Sequence, residues 1–344
     1  MYSKFQDSPN VNWFGFKKKK DSNPNFPEVL KTFMGRDALN IYLWNIKDPN
    51  KKQKVLLPAY VCTEVSDQFK RNGIDIIYYD IKNFQIQVED IKPYLEDEID
   101  IFYFVQYFGI YQKNLEEIIS TVKEKNPKTI IIEDRAHYLT DDYIIDEIDA
   151  VIYSFRKLLP IPEGGGVYSR QKLIYRPKPR IISNILVLLV LLKKKIFGHN
   201  PKFSRSNVMK DVQKPSNELL LPSTFSEKVI NYYDLKEERK LRRELFNLYS
   251  ILIKDAGIEP VFSELSEKDI PQGFPIYVEN AEKVFNKMYD EGIYLKRHWV
   301  LPEKLKSIAP NSYAISEKVI TLPIYENINK EDINFLIEKL KSIL

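Results

Sequence analysis

Apolar positions along this chain come in two rhythms. Between residues 54 and 155, short and nearly unbroken apolar runs recur. They are Lys54-Val-Leu-Leu-Pro58, Ile74-Asp-Ile-Ile-Tyr-Tyr79, Asp100-Ile-Phe-Tyr-Phe-Val105, Thr129-Ile-Ile-Ile-Glu133 and Val151-Ile-Tyr-Ser154. Runs that do not alternate suit strands covered on both faces, as in a parallel sheet. Helical spacing fills the gaps, over 63–72, 88–95 and 115–125, and a glycine turn at Gly35 opens an amphipathic helix toward Trp44. Strands alternating with helices predict an α/β fold with a mostly parallel, doubly wound sheet.

Beyond residue 221 the rhythm changes. Capping residues at 222–224 predict one long amphipathic helix to Asp255. Shorter elements follow: a strand over 273–278, a helix over 280–290, a strand over 292–299 running into a loop, a strand over 319–325 and a helix over 330–343. The expected organisation is an N-terminal arm (1–30), a large domain (31–235) and a small α+β domain (236–344). Residues 171–221 interrupt the pattern. There Arg176-Pro-Lys-Pro-Arg180 and Lys193–Lys195 flank a run of 12 residues, Ile181 to Leu192, that is almost wholly apolar. The run is about half the length of a transmembrane helix. It suits a buried or dimer-facing helix, or one lying on an anionic membrane surface through 176–197.

Composition narrows the class. The chain of 344 residues can bury a large core. With 44% hydrophobic and 29% charged residues it reads as soluble and globular, and a net charge of +4 does not call for nucleic acid. The one cysteine, Cys62, excludes an intrachain disulfide and points to a reducing compartment, the cytoplasm. The N-terminus lacks the apolar core of a signal peptide. Three scattered histidines give no metal-ligand spacing. No Gly-x-Gly-x-x-Gly follows the first strand, so the usual dinucleotide fold lacks support. Lys17–Lys20 form a solvated face, and Trp13, Phe14 and Phe16 are expected to pack on the body or on a partner chain.

Candidate chemistry gathers at two strand ends. Val151-Ile-Tyr-Ser-Phe-Arg-Lys-Leu-Leu-Pro-Ile-Pro-Glu-Gly-Gly-Gly166 puts Lys157 on a short loop after a buried strand. Burial lowers an amine's pKa and frees it to attack a carbonyl. Ser154 and Arg156 suit a phosphate, and glycines 164–166 permit a sharp turn and close approach to a ligand. A strand, an exposed basic pair and a loop is the plainer account. The second end is Thr129-Ile-Ile-Ile-Glu-Asp134-Arg-Ala-His137, where Asp134 falls at the carboxyl edge at which α/β sheets bind ligands. Asp134 and Lys157 lie 23 residues apart on the ends of consecutive strands.

Glu-Asp-x-Ala-His, then Ser-Phe-x-Lys, then Glu-Gly-Gly resembles the fold-type-I aminotransferases dependent on pyridoxal 5'-phosphate (PLP), in particular the DegT/StrS-type sugar aminotransferases. The resemblance covers residue 30 to the end apart from 171–221. It rests on Gly35, Pro58, Gly109, Asp134, Lys157 and Gly164-Gly165 in order. It implies the PLP-transferase fold, with Lys157 carrying the Schiff base and Asp134 holding the pyridinium nitrogen. Gly35-Arg-Asp-Ala-Leu39 stands where the family has Gly-Thr-x-Ala-Leu, so Gly35, Arg36 and Asp37 fall at the phosphate, with Arg36 replacing the hydroxyl residue. The resemblance further implies Tyr60 stacking on the ring, although Cys62 sits where some relatives place that aromatic. His137 falls near the cofactor's 3-oxygen. Ordinary packing roles suit Tyr60, His137 and His298 as well.

Tyr107, Arg156, Glu163, Asn207 and His298 are candidates for the substrate side, with Arg297 beside His298. Asn207 resembles an Asn that relatives lend to the partner subunit, and Arg242-Arg-Glu-Leu-Phe-Asn247 resembles another family stretch. The interval from Ser154 to Lys157 is two residues shorter than the family's, while the spacing from Lys157 to Glu163-Gly-Gly is kept. The implied activity is transfer of an amino group, from glutamate, to a keto sugar linked to a nucleotide, in surface polysaccharide or secondary-metabolite synthesis, by a homodimer. A PLP lyase or dehydratase, or a non-catalytic protein of this fold at a membrane surface, are the alternatives.

Overall fold

The computed structural model describes residues 5, 16–140, 144–174, 181, 184, 185, 188 and 219–344. Asn207 and most of the apolar run after Arg180 lie outside these. Seven strands form one sheet: β1 (Leu30–Thr32), β2 (Lys54–Pro58), β3 (Asp75–Tyr79), β4 (Ile101–Val105), β5 (Ile130–Arg135), β6 (Ala150–Tyr153) and β7 (Gly165–Ser169), in the order β1-β7-β6-β5-β4-β2-β3. β2 to β6 run parallel, and β7 and β1 are antiparallel to their neighbours. The mostly parallel sheet read from the sequence is therefore present. All five residues of β4 are buried, as an unalternating apolar run requires.

Helices cover the sheet. They are α1 (Gly35–Ile46), α2 (Thr63–Arg71), α3 (Val88–Ile91) and α4 (Leu115–Lys125). α4 turns Leu115, Ile118, Ile119 and Val122 inward, the i, i+3, i+4, i+7 stripe of an amphipathic helix. α1 packs on β6 and β7. The parallel strands bring their carboxyl ends, from Pro58 to Tyr153, to one edge.

The single helix expected over 222–255 is two helices, α5 (Thr224–Tyr232) and α6 (Leu235–Asp255). Tyr233 is extended, and the Asp234 carboxylate accepts hydrogen bonds from the N–H groups of Lys236 and Glu237, both at 3.2 Å. An acid offering this cap starts a new helix where apolar spacing alone runs on. The remaining elements are α7 (Ala281–Asp290), α8 (Leu305–Ile308), α9 (Pro310–Lys318), α10 (Lys330–Ile343) and the antiparallel pair β8 (Gly273–Tyr277) and β9 (Val319–Pro323). The strand expected over 292–299 reduces to one bridge, Lys296 with Thr321.

A second apolar core gathers Leu245, Phe246, Tyr249 and Ile253 of α6 with Phe274, Met288, Ile320 and Leu336. Phe5 joins it and accepts a hydrogen bond at its carbonyl from Tyr294 N–H at 3.1 Å. Several contacts tie this part to the sheet, two groups of them near the cavity. The N–H groups of Ile270 and Gln272 donate to the carbonyls of Gly109 and Phe108, both at 2.8 Å. Arg242, fully buried, donates to Glu238 (2.7 Å) and to the carbonyls of Leu158 (3.0 Å), Ile324 (3.1 Å), Gln272 (3.2 Å) and Pro271 (3.3 Å).

Gly109 adopts φ +82°, and a Cβ there would lie 1.9 Å from the Ile270 carbonyl oxygen. Strain and collision act together, so Gly109→Ala should cost about 3 kcal/mol. The measurement is a thermal melt. A fall in melting temperature of roughly 5 °C or more is expected, and an unchanged melt would refute this docking geometry.

Candidate active site

The parallel register fixes where the chemistry meets. Asp134 of β5 pairs with Ile152 of β6, and β6 ends two residues before a 3-10 turn, Phe155–Lys157. Asp134, Ala136, Ile152, Ser154, Arg156 and Lys157 line one cavity of about 280 Å³. The start of α1 supplies Met34, Gly35 and Arg36. The chain before and within α2 supplies Cys62, Glu64 and Val65. Tyr103 of β4 and Lys296, His298 and Trp299 complete the wall. α1 reaches Ser154 because glycine lies on both sides of the contact. A Cβ on Gly165 would fall 2.2 Å from the Met34 carbonyl carbon, and one on Gly35 would fall 3.0 Å from the Tyr153 oxygen and 3.3 Å from Ser154 Cβ.

Asp134 is buried. It accepts from the Tyr103 hydroxyl and from the Ala136 N–H, both at 2.7 Å. Burial pushes its pKa up, and Lys157, the Tyr103 hydroxyl and the Ala136 N–H pull it back. Burial lowers the Lys157 pKa, against Cys62 and Asp134, which raise it. Asp37 turns its carboxylate back to the Met34 N–H at 3.0 Å, and burial pushes its pKa up to about 6. Arg36 pairs with Glu64 at 3.1 Å.

His137 and His298 are held neutral. Burial drives both pKa values well down, with Lys157 and His298 also lowering that of His137, and Lys296 and Lys157 that of His298. His137 stacks on Trp299 at 5.1 Å and meets His298 at 4.7 Å, and neither of its ring nitrogens has a hydrogen-bond partner among the described residues. His298 Nδ1 lies 2.9 Å from Thr321 Oγ1.

Of the residues selected from the sequence, Gly35, Arg36, Asp134, Ser154, Arg156, Lys157 and His298 share the cavity wall. Tyr60 does not. It sits in an aromatic cluster with Phe84, Tyr107 and Trp299, and Trp299 is the ring that reaches the cavity. Tyr107 donates to the Tyr60 carbonyl at 2.7 Å. Glu163 is buried and accepts from the Ser223 N–H at 2.9 Å, which anchors the start of α5. Tyr103, Lys296 and Trp299 were not foreseen. Tyr103 had a readable signal, since it pairs with Ile132, two residues before Asp134 on the same face. Lys296 and Trp299 arrive only through tertiary packing.

The sequence matches no family model and no curated protein. Solved structures do match. A candidate sugar aminotransferase from Streptococcus pneumoniae, Spr1654, in its PLP form, aligns over 98% of this chain and 97% of its own at 15% identity with a TM-score of 0.68. A DegT/DnrJ/EryC1/StrS aminotransferase from Brucella abortus aligns over 91% and 85% at 15% identity, TM-score 0.57. NtdA from Bacillus subtilis, with bound pyridoxamine phosphate (PMP), aligns over 92% and 73% at 16% identity, TM-score 0.60. The chain therefore has the fold of the PLP-dependent aminotransferases of fold type I, and its structural neighbours include a sugar aminotransferase and a DegT/DnrJ/EryC1/StrS aminotransferase.

The lowered Lys157 pKa predicts selective chemistry. At pH 7, substoichiometric reductive methylation should label Lys157 ahead of exposed lysines, read by peptide mass mapping. Asp134→Asn removes a carboxylate that raises the Lys157 pKa, so labelling at fixed pH should increase. Labelling of Lys157 no faster than that of surface lysines would overturn this account of its environment.

Proposed function

We propose that this protein is a PLP-dependent aminotransferase acting on a keto sugar. The observation that supports the reading is one cavity holding the Asp134 carboxylate and the Lys157 amine on the ends of adjacent parallel strands. The fit can be tested on the structure itself. A pyridine ring needs a buried acid at its nitrogen, and Asp134 is one, kept in place by two donors. An aldehyde needs an amine of lowered pKa, and Lys157 is one. A phosphate needs amides and cations, and the first turn of α1, Ser154, Arg36 and Arg156 stand together at the cavity. The 3-oxygen needs a polar partner, and His137 has two buried nitrogens without one among the described residues.

When bound, PLP supplies an electron sink for the charge left as a Cα–H bond breaks. Asp134 holds the proton on the pyridine nitrogen. Lys157 would hold the cofactor at its aldehyde carbon, and its Nζ would be the group placed to accept and return a proton at the donor's Cα. Trp299 and His298 wall the site with neutral rings and limit water, and His137 packs against both of them. Glutamate as donor, a nucleotide-linked keto sugar as acceptor, and a cytoplasmic homodimer serving surface polysaccharide or secondary-metabolite synthesis complete the proposal. Three exposed apolar side chains after the large sheet, Ile181, Ile185 and Leu188, at 68%, 54% and 54% exposure, are compatible with a covering partner chain.

Borohydride added to the protein with PLP should fix a pyridoxyl group on Lys157, located by peptide mass. Lys157→Ala should not be labelled there and should lose half-transamination with glutamate by on the order of 10²–10⁴-fold. Trapping elsewhere, or none, would overturn the reading.

A further inference from the structure

Charge is spread unevenly along this chain. From Gly164 to Lys210 there is no aspartate or glutamate, while eleven lysines and arginines fall in the same stretch. The whole chain carries only +4, so the remainder is net negative. The stretch also holds the nearly apolar run Ile181 to Leu192, with Arg176, Lys178 and Arg180 before it and Lys193–Lys195 after it. The structure fixes one side of that run. Ile181, Asn184, Ile185 and Leu188 are helical. The Asn184 side chain is tied to Thr224 at the start of α5, accepting from its N–H at 2.9 Å and donating to its hydroxyl at 3.3 Å. Ile181, Ile185 and Leu188 share a side at i, i+4 and i+7, and each is more than half exposed. Ile174, whose N–H donates to the Asn45 side chain at 2.7 Å, is 86% exposed.

An apolar face inside an acid-free stretch narrows what covers it. The run is about half the length of a membrane span, too short to cross a bilayer. A second copy of the chain would suit the apolar side chains alone. A two-fold contact uses the same surface on both copies, however, and would set the acid-free stretch against itself. Nucleic acid answers the charge and not the apolar run, since such interfaces are polar. An anionic bilayer answers both, with acyl chains for the isoleucines and leucines and headgroup phosphates for the basic residues on either side.

We propose that the face of Ile181, Ile185 and Leu188, with the basic residues that flank it in sequence, docks this protein on an anionic phospholipid surface. The apolar side chains enter the boundary between headgroups and acyl chains, and the lysines and arginines stay among the headgroups. Asn184 joins this face to α5, and Glu163, six residues after Lys157, holds the Ser223 N–H just before α5. Docking therefore orients the part of the molecule that bears the cavity. It depends on no step of the chemistry there.

The test is co-sedimentation of the full-length protein with vesicles of phosphatidylcholine alone and of phosphatidylcholine mixed with phosphatidylglycerol. Wild type, K193Q/K194Q/K195Q and I185D/L188D are compared, with thermal melts to check that each variant folds. A lysine near an anionic surface contributes about fivefold in affinity, so the triple variant should bind the anionic vesicles roughly 100-fold more weakly. I185D/L188D should lose them, and about 1 M salt, which shortens the screening length to about 3 Å, should release wild type. Lys157→Ala should bind as wild type does. No sedimentation, or equal sedimentation with neutral vesicles, would overturn the docking and leave the aminotransferase reading untouched. An I185D/L188D variant that changes from dimer to monomer while vesicle binding holds would assign the face to a second copy and overturn it too. Binding of a DNA duplex in place of vesicles would do the same.

Discussion

One buried guanidinium holds the cavity-bearing edge of the sheet to the second core. Arg242 has no solvent exposure, and its hydrogen bonds reach the loop after Lys157, the segment entering β8, the segment leaving β9 and Glu238 on its own helix. Burying such a charge is costly, and an apolar residue of like volume would often be no less stable. What an apolar residue cannot do is fix direction. The planar fork sets three chain segments at defined angles, which a lysine's point charge would not. Glu238 balances the charge and takes a further hydrogen bond from Tyr233 at 3.0 Å, in the linker between α5 and α6. The position of Lys157 therefore depends on a residue 85 places later in the chain.

This explains what could and could not be read from residues in order. The parallel sheet was legible because each strand is a local, unalternating run. The placement of Gly35, Asp134 and Lys157 at one edge was legible because each stands at the start of a helix, near the end of a strand or just beyond one, and parallel pairing sends the ends of β2 to β6 to one edge. The helix break at Asp234 was hidden, since the apolar spacing runs through it and only an N-cap geometry reveals it. Glu163 and Tyr107 looked like polar groups near a site. Packing uses them instead to hold α5 and the turn before α2. Trp299 and Lys296 carried no local signal, because their place follows from how the second core docks through Gly109 and Arg242.

Aromatic packing shows the same division between local and remote causes. Pro58 ends β2, and the chain then turns Tyr60 inward, against Phe84 and Tyr107. That leaves the cavity side of the turn to Cys62, a small residue whose thiol burial keeps protonated by raising its pKa. The room left by a small side chain lets Trp299 approach from the other core, 5.9 Å from Lys157 Nζ, and stack on His137. A ring near the lysine is thus supplied from residue 299 although the resembled family supplies it from the end of β2.

The electrostatics of the cavity follow from this enclosure. Burial alone would drive Asp134 toward the acid and Lys157 toward the free amine, so their pKa values move toward one another. Two hydrogen bonds at 2.7 Å to Asp134 favour its charged form, and His137 and His298 are too desolvated to carry charge of their own. Lys157 shares the cavity with a fixed anion and stands on a turn rather than a strand. A base on a turn can swing while the acid stays fixed. The sheet makes that asymmetry, since Asp134 lies within β5 and Lys157 beyond the end of β6.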